Sequence, residues 1–162
     1  MLQVSESANF FVNAETDNGY QHTAGLVILS ADESPDFCFG KLKAFVEERL
    51  RHVPQFRWKL REVPFGLDMP YWVEDEKYSI DRHIHRVAVP APGDMKALTE
   101  LAAFLYSRRL DRAKPLWEIW FIEGLQGNRF AMPQKLHHCM MDGQGAQKIG
   151  DVVKLINDIA EQ

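Results

Sequence analysis

The chain has 162 residues, of which 46% are hydrophobic and 26% are charged. This composition is typical of one soluble globular domain with a core of its own. Its 23 acidic residues outnumber its 19 Lys and Arg residues, and the net charge of −4 argues against a dedicated nucleic-acid-binding protein. The two cysteines, Cys38 and Cys139, lie far apart and match no paired metal-ligand spacing. The sequence therefore favours a reducing cytoplasm over a disulfide framework or a zinc ribbon.

The first half of the chain alternates between helical and strand patterns. The apolar run that includes Leu26 to Leu29 predicts a buried strand, and it is far shorter than the roughly 20 residues of a membrane span, so any membrane contact is expected to be peripheral. Pro54 is expected to end the preceding helix. In chain order, the predicted elements are a helical turn over 8–15, a buried strand over 23–30, an amphipathic helix over 36–53, a half-exposed strand over 55–63 and a short strand over 71–73.

The second half continues the alternation without an internal repeat or a long linker, which predicts one compact α/β domain. Asp94 stands where it can cap the N-terminus of a helix. Pro133 lacks a backbone N–H, which predicts an edge strand or a bulge at that point. The predicted elements are a strand over 83–89, a helix over 94–110, a hairpin of two strands over 117–122 and 129–136, and a final helix over 144–159.

Residues 137–143, His-His-Cys-Met-Met-Asp-Gly, lie between an apolar strand and the final helix. An imidazole has a pKa suited to proton abstraction near neutral pH. Adjacent strand residues point to opposite faces, so we expect one of His137 and His138 to face the interior and at most one to act as a base. Two alternatives stay open here: both histidines are structural while Asp142 caps the helix, or they bind a metal. Adjacent histidines seldom converge on one ion, so no metal site is predicted.

These residues resemble a known family. Residues 137–143 match the HHxxxDG signature of the CoA-dependent acyltransferase superfamily, which includes the condensation domains of nonribosomal peptide synthetases. Residues 110–118, Leu-Asp-Arg-Ala-Lys-Pro-Leu-Trp-Glu, with Ile-Glu-Gly-Leu at 122–125, resemble the bacterial wax ester synthase/acyl-CoA:diacylglycerol acyltransferase family. Shorter agreements lie at 14–16, 56–60 and 81–86, so the resemblance spans nearly the whole chain. It departs at 132–134, Met-Pro-Gln, where a plain strand is expected.

The resemblance implies a two-layer α/β sandwich with a mixed sheet, like half of chloramphenicol acetyltransferase. Residues 1–162 would form the N-terminal acyltransferase domain that carries the motif, without the C-terminal half. His138 would be the general base that takes the proton from an alcohol attacking the thioester of acyl-CoA. His137 would support the loop, Asp142 would hold the turn through a buried charge pair, and Gly143 would let the backbone approach a substrate closely.

The resemblance also implies an activity: transfer of a fatty acyl group from acyl-CoA to a long-chain alcohol or diacylglycerol, without a cofactor, to form wax ester or triacylglycerol. Expected partners are these substrates, the inner membrane or lipid inclusions as a peripheral surface, and either a complementary C-terminal half or a second copy. Cys139 is expected to be a buried, inert thiol. Two other functions stay open, a condensation-type amide-forming domain and a non-catalytic fragment or binding module. The segment Pro115, Leu116, Trp117 and Glu118 would line an acyl tunnel, although an aromatic residue in an apolar strand is as well explained by core packing.

Overall fold

The computed structural model describes residues 1–32 and 35–141. Asp142, Gly143 and the predicted helix over 144–159 lie outside the described residues. The helices are α1 (Glu6–Ala14), α2 (Phe39–Leu50) and α3 (Met95–Tyr106). The strands are β1 (Leu2–Gln3), β2 (His22–Ser30), β3 (Trp58–Arg61), β4 (Tyr71–Glu74), β5 (Ile84–Ala88), β6 (Trp117–Leu125) and β7 (Arg129–His137).

The main sheet has four strands in the order β2-β7-β6-β5. Strand β7 pairs antiparallel with both β2 and β6, whereas β5 pairs parallel with β6. The β6–β7 pair is the hairpin that the sequence predicts. A second sheet is antiparallel, with the order β1-β4-β3. The predicted fold class, α/β with a mixed sheet, is confirmed.

Both faces of the main sheet are covered by helices. Successive side chains of β6 point to opposite sides, so they pack in two different clusters. Trp117, Ile119 and Phe121 pack in one cluster with the buried residues of α1 and α2. Trp120 and Ile122 pack in a second cluster with Leu98 and Leu105 of α3. None of the helices within the described residues is long and apolar enough to cross a membrane.

The helices begin at side-chain caps where the sequence offers them. The Asp94 carboxylate accepts a hydrogen bond from the Ala97 amide at 2.8 Å, which confirms Asp94 as the N-cap of α3. The Ser5 hydroxyl accepts from the Ala8 amide at 3.2 Å at the start of α1. Such caps satisfy amides that have no partner within the helix. Both helices are therefore fixed at the end where the chain enters them.

Two strand predictions need correction. Residues 54–57 form a single 3₁₀ turn, Pro54–Arg57, so the strand predicted over 55–63 is reduced to Trp58–Arg61. Pro54 favours this turn because its φ is already fixed, and the turn buries Phe56 edge-on against Trp117. Strand β2 exists as predicted but is not fully buried, since it is an outer strand of the four-stranded sheet and Leu26 is 40% exposed.

Pro133 lies in the interior strand β7, so its predicted position in an edge strand is wrong. It pairs with Leu26 of β2. Pairing between β6 and β7 runs as far as Ile119 with Gln134, resumes at Ile122 with Ala131, and shifts register only beyond Ile122. The sheet tolerates the missing N–H because the ladder to β6 is interrupted opposite the proline.

Candidate functional site

The histidine pair lies where β7 ends and a 3₁₀ turn, His138–Met141, begins. The amide of His137 donates to the carbonyl of Leu116 at 3.0 Å, and the amide of His138 donates to that of Gln21 at 2.8 Å. His137 is only 1% exposed, whereas His138 is half-buried. The predicted division between one interior and one accessible histidine is confirmed.

One ring nitrogen of His137 is hydrogen-bonded and the other faces a carboxylate. Its Nδ1 accepts a hydrogen bond from the Cys139 amide at 3.1 Å, so the proton of the neutral ring sits on Nε2. That Nε2–H faces Oε1 of Glu15 at 3.5 Å. Burial lowers the pKa of His137 to about 4, against the opposing pull of Glu15. His137 is therefore neutral near pH 7 and has no free nitrogen for a substrate proton.

Glu15 directly follows α1, and its side chain is fully buried. Its Oε2 accepts hydrogen bonds from Arg109 Nε at 3.0 Å and from Arg112 Nε and Nη2 at 3.1 and 2.9 Å. Burial favours the protonated acid, but these hydrogen bonds more than offset it and lower the pKa of Glu15. Glu15 is thus a buried carboxylate between two arginines and His137.

Sequence reasoning gave no role to Glu15 or Arg112. Both lie in segments that carry the family resemblance, but their contact joins residues 97 positions apart. A glutamate in an otherwise helical, apolar stretch could have raised the question of its partner, because buried carboxylates are seldom unpaired.

The ring of His138 stacks on Phe11 of α1, with 5.1 Å between ring centroids and 22° between planes. Within the described residues, neither ring nitrogen of His138 takes part in a hydrogen bond. The next residue, Cys139, is buried, and burial raises the pKa of its thiol to about 12. Cys139 is therefore the inert thiol that the sequence predicts.

The segment from Pro115 to Glu118 is mostly interior. Pro115, Leu116 and Trp117 are buried. The indole N–H of Trp117 donates to the carbonyl of Phe56 at 2.8 Å. These contacts support core packing of Trp117, and the tunnel-lining role of the segment stays a prediction.

Lys135 is another polar residue to which the sequence analysis gave no role, besides Glu15 and Arg112. Its buried ammonium donates to the carbonyls of Leu105 at 3.0 Å and Arg108 at 2.6 Å, and lies 3.7 Å from Oε2 of Glu118. Leu105 lies in the last turn of α3 and Arg108 lies two residues beyond its end, where backbone acceptors lack partners four residues further along a helix. Lys135 therefore ties α3 to β7 two residues before the histidine pair.

His83 precedes β5 and is completely buried. Its Nδ1 is hydrogen-bonded to the carbonyl of Trp117 at 2.9 Å, so Nδ1 carries the proton, and its ring stacks on the Trp117 indole at 4.4 Å. Burial lowers the pKa of His83 to about 4. The ring is a structural support beneath Trp117, held in its neutral form.

The buried His83 predicts a pH-dependent stability. In the unfolded chain the pKa of His83 returns to about 6.5. Below that pH the His83 ring is protonated in the unfolded state but stays neutral in the folded state. The free energy of unfolding should be fully retained above this value and should fall by up to about 3 kcal/mol as the pH drops towards 4. Urea unfolding of the parent and of His83→Gln at several pH values measures the difference in slope. His52→Gln, at an exposed histidine, is the control, and equal slopes for the parent and His83→Gln would contradict the prediction.

Among the described residues there is no group of three or more His, Cys, Asp or Glu side chains that could hold a metal ion. At the histidine pair, Nδ1 of His137 accepts from the Cys139 amide, so this nitrogen is not available as a metal ligand.

Residues 4–158 match the family described as wax ester synthase/diacylglycerol acyltransferase catalytic domain. A Mycobacterium tuberculosis protein named probable diacylglycerol O-acyltransferase tgs1 is 40% identical over 142 residues, which are 86% of this chain and 30% of that protein. Among solved structures, the wax ester synthase/diacylglycerol acyltransferase of Marinobacter aquaeolei VT8 superposes with a TM-score of 0.74 at 28% identity, over 93% of this chain and 36% of that one.

The starter condensation domain of the rhizomide synthetase RzmA superposes with a TM-score of 0.67 at 13% identity, covering 91% of this chain and 37% of that chain. This likeness concerns the fold alone. The chain spans about a third of the length of the relatives described here. Association with a C-terminal half or with a second copy stays a prediction. The match over nearly all of its residues shows that the chain belongs to the wax ester synthase/diacylglycerol acyltransferase family.

Proposed function

We propose that the protein transfers a fatty acyl group from acyl-CoA to the hydroxyl of a long-chain alcohol or diacylglycerol, with His138 as the general base. The observation that carries the proposal is the different state of the two histidines. Nδ1 of buried His137 accepts a hydrogen bond from the Cys139 amide and its Nε2 faces Glu15 at 3.5 Å, whereas His138 keeps its ring nitrogens free within the described residues. The names of the relatives supply the substrates.

In the proposed reaction, His138 takes the hydroxyl proton as the alcohol oxygen attacks the thioester carbonyl carbon. The tetrahedral intermediate then collapses, the C–S bond breaks, and the imidazolium returns the proton to the departing CoA sulfur. The products are the ester and free CoA. Because both substrates can meet at one site, the proposed reaction needs no acyl-enzyme, and no step in it uses a cofactor. His137 helps by staying neutral, since a second positive imidazole next to His138 would oppose its protonation.

The remaining site residues keep the roles that the family resemblance suggests. In this proposal Asp142 orients the turn after His138, and Gly143 allows close approach of the backbone to a substrate. In the same proposal residues 115–118 contribute to the acyl tunnel, with Glu118 held between Lys114 at 3.0 Å and Lys135 at 3.7 Å.

An acceptor comparison in the full-length protein tests the proposal. CoA release from palmitoyl-CoA is measured with hexadecanol, with a diacylglycerol and with a long-chain primary amine. We expect release to depend on a hydroxyl acceptor and the product to be an ester. Release that depends on the amine alone, with an amide as product, would favour the condensation-type reaction instead.

We propose further that a loop beside β4 contacts the lipid surface from which such substrates come. Phe65 is 97% exposed and Leu67 is 81% exposed. The backbone of Phe65 has a φ of 61°, a left-handed conformation that bulky residues seldom adopt. The base of the loop is fixed by Asp68, which accepts hydrogen bonds from Gln3 at 2.9 Å and from Tyr71 at 3.0 Å. Two large apolar side chains on a fixed loop are suited to the interfacial layer of a membrane or lipid inclusion.

Flotation with phosphatidylcholine vesicles that contain diolein measures this contact. We expect the double substitution Phe65→Ser and Leu67→Ser to lower the vesicle-bound fraction several-fold, because both removed side chains would insert among lipids. Phe104→Ser, at another exposed aromatic residue, is the control and should bind like the parent. Equal binding of the double variant and the parent would contradict the proposed role of the loop.

A further inference from the structure

Glu15 divides its two carboxylate oxygens between different partners. Oε2 accepts the hydrogen bonds from Arg109 and Arg112. Oε1 receives no hydrogen bond within the described residues, is buried, and faces Nε2 of His137 at 3.5 Å. This distance is long for a hydrogen bond, but a shift of about 0.5 Å would make it one. The arginines hold the carboxylate in the one orientation that presents an acceptor to His137.

The orientation of Glu15 has a consequence for the tautomer of His137. A carboxylate can only accept, so it favours a proton on Nε2. With the proton there, Nδ1 is free to accept from the amide of Cys139 at 3.1 Å. That amide belongs to the second residue of the turn His138–Met141. The tautomer of His137 therefore decides whether the turn that carries His138 is held at its start.

Helix α1 holds the other side of the same turn. Phe11, which stacks on the ring of His138, lies four residues before Glu15, and α1 packs beside the turn. One segment therefore contacts both histidines. Glu15 faces His137, and Phe11 stacks directly on the ring of His138.

We propose that Glu15 is a positioning residue for acyl transfer: it keeps His137 in the Nε2–H tautomer, and through the Cys139 amide it aims His138 at the substrate hydroxyl. This inference rests on the proposed function of His138. It assigns a role in the reaction to a residue that does not touch the substrate.

Glu15→Gln is the sharpest test, because it keeps the number and arrangement of the non-hydrogen atoms in the side chain. The arginines require an acceptor, so the glutamine carbonyl oxygen should take the place of Oε2 and the amide NH₂ should face His137. Two donors then oppose each other. His137 must either move or shift its proton to Nδ1, which abolishes the hydrogen bond from Cys139. The fold should survive, since both arginines keep an acceptor.

Glu62→Gln is the matched control. Glu62 accepts a hydrogen bond from the same Arg112 at 2.9 Å, but it is largely exposed and belongs to the outer side of the cluster. Its substitution also removes one negative charge next to Arg112 without placing a donor against His137. Any effect that comes only from the altered charge of the arginine cluster should appear in both variants.

We expect Glu15→Gln to lower kcat about 10- to 100-fold in the full-length protein, on the scale of a misplaced catalytic group, with the KM for acyl-CoA within about twofold of the parent. Glu62→Gln should keep the kcat of the parent. Nitrogen-15 NMR of the histidine rings should report the Nε2–H tautomer of His137 in the parent and in Glu62→Gln, and an altered state in Glu15→Gln. A purely structural role for Glu15 would change the melting temperature without changing the tautomer.

The outcomes separate this inference from the proposed function. If Glu15→Gln keeps both the parent tautomer and the parent kcat while His138→Ala is inactive, the positioning role is overturned and His138 remains the base. If His138→Ala is as active as the parent, the proposed mechanism fails. The positioning role fails with it, although the tautomer measurement still decides whether Glu15 controls the protonation of His137.

Discussion

Replacement of His138 by alanine should lower kcat for acyl transfer at least ~100-fold, which is the usual scale for loss of a general base. The reason is that the ring nitrogens of His138 are available to a substrate. His138 is half-buried at the start of the turn and keeps its nitrogens free within the described residues, whereas Nδ1 of the neighbouring His137 accepts from the Cys139 amide and its Nε2 carries the proton. The adjacent Cys139 offers no thiolate to take over the proton, because burial raises the pKa of its thiol to about 12.

Initial rates with radiolabelled acyl-CoA measure this loss in the full-length protein. His85→Ala is the control, because His85 is another half-buried histidine, on β5. His137→Ala should reduce the chemical step less than His138→Ala, since His137 supports the turn and accepts no substrate proton. A His138→Ala variant that turns over like the parent would remove the basis of the mechanism.

Lys135→Met should lower the free energy of unfolding by about 3 kcal/mol. Methionine keeps much of the apolar stem but removes the ammonium, which donates to the carbonyls of Leu105 and Arg108. The Arg108 carbonyl would then lose this donor, and the Leu105 carbonyl would keep only backbone amides such as that of Arg108 at 3.4 Å, close to the C-terminal end of α3, where the partial negative charge of the helix is concentrated. Because the lysine side chain is fully buried, solvent does not screen its contacts.

Chemical denaturation of both proteins measures this change. Lys96→Met is the control, because Lys96 lies on α3 but is 82% exposed and its ammonium lies 3.9 Å from Glu100. Its substitution should change the free energy of unfolding by less than about 0.5 kcal/mol. An equal effect of both substitutions would show that the contact between Lys135 and α3 contributes little.

Local sequence patterns predicted much of the fold. The repeat of apolar residues located α2 and α3, Asp94 marked the start of α3, and the predicted turn over 124–128 joined the two strands of the hairpin. These predictions succeeded because each depends on residues that are close in sequence. The predicted ends of the helices and strands were less accurate. The helix predicted over 36–53 is observed only as Phe39–Leu50, since Cys38 is still extended.

Features that depend on the order of the strands in the sheet could not be predicted from local sequence patterns. The apolar run at Leu26 predicts burial, but the run does not reveal that β2 is an outer strand of the sheet. The same holds for Pro133, whose missing donor suggested an edge although β7 lies between β2 and β6. Strand order is set by long-range pairing, on which the local pattern carries no information.

The candidate site divides in the same way. The motif identified His137 and His138, and the alternation along a strand predicted that they would differ in burial. The partner of His137 was missed because Glu15 lies 122 residues away along the chain and meets it only in the folded protein. Lys135 was missed for a similar reason, since its acceptors are backbone carbonyls that no side-chain motif marks.

The product formed from palmitoyl-CoA and oxygen-18-labelled hexadecanol tests the central claim most directly. If the hydroxyl activated by His138 attacks the thioester carbonyl, mass spectrometry of the full-length protein's product should give palmityl palmitate that retains the label, with one CoA released per ester. His138→Ala should yield almost none of it. An ester that lacks the label, or CoA release that gives only free fatty acid, would contradict base-catalysed acyl transfer to an alcohol.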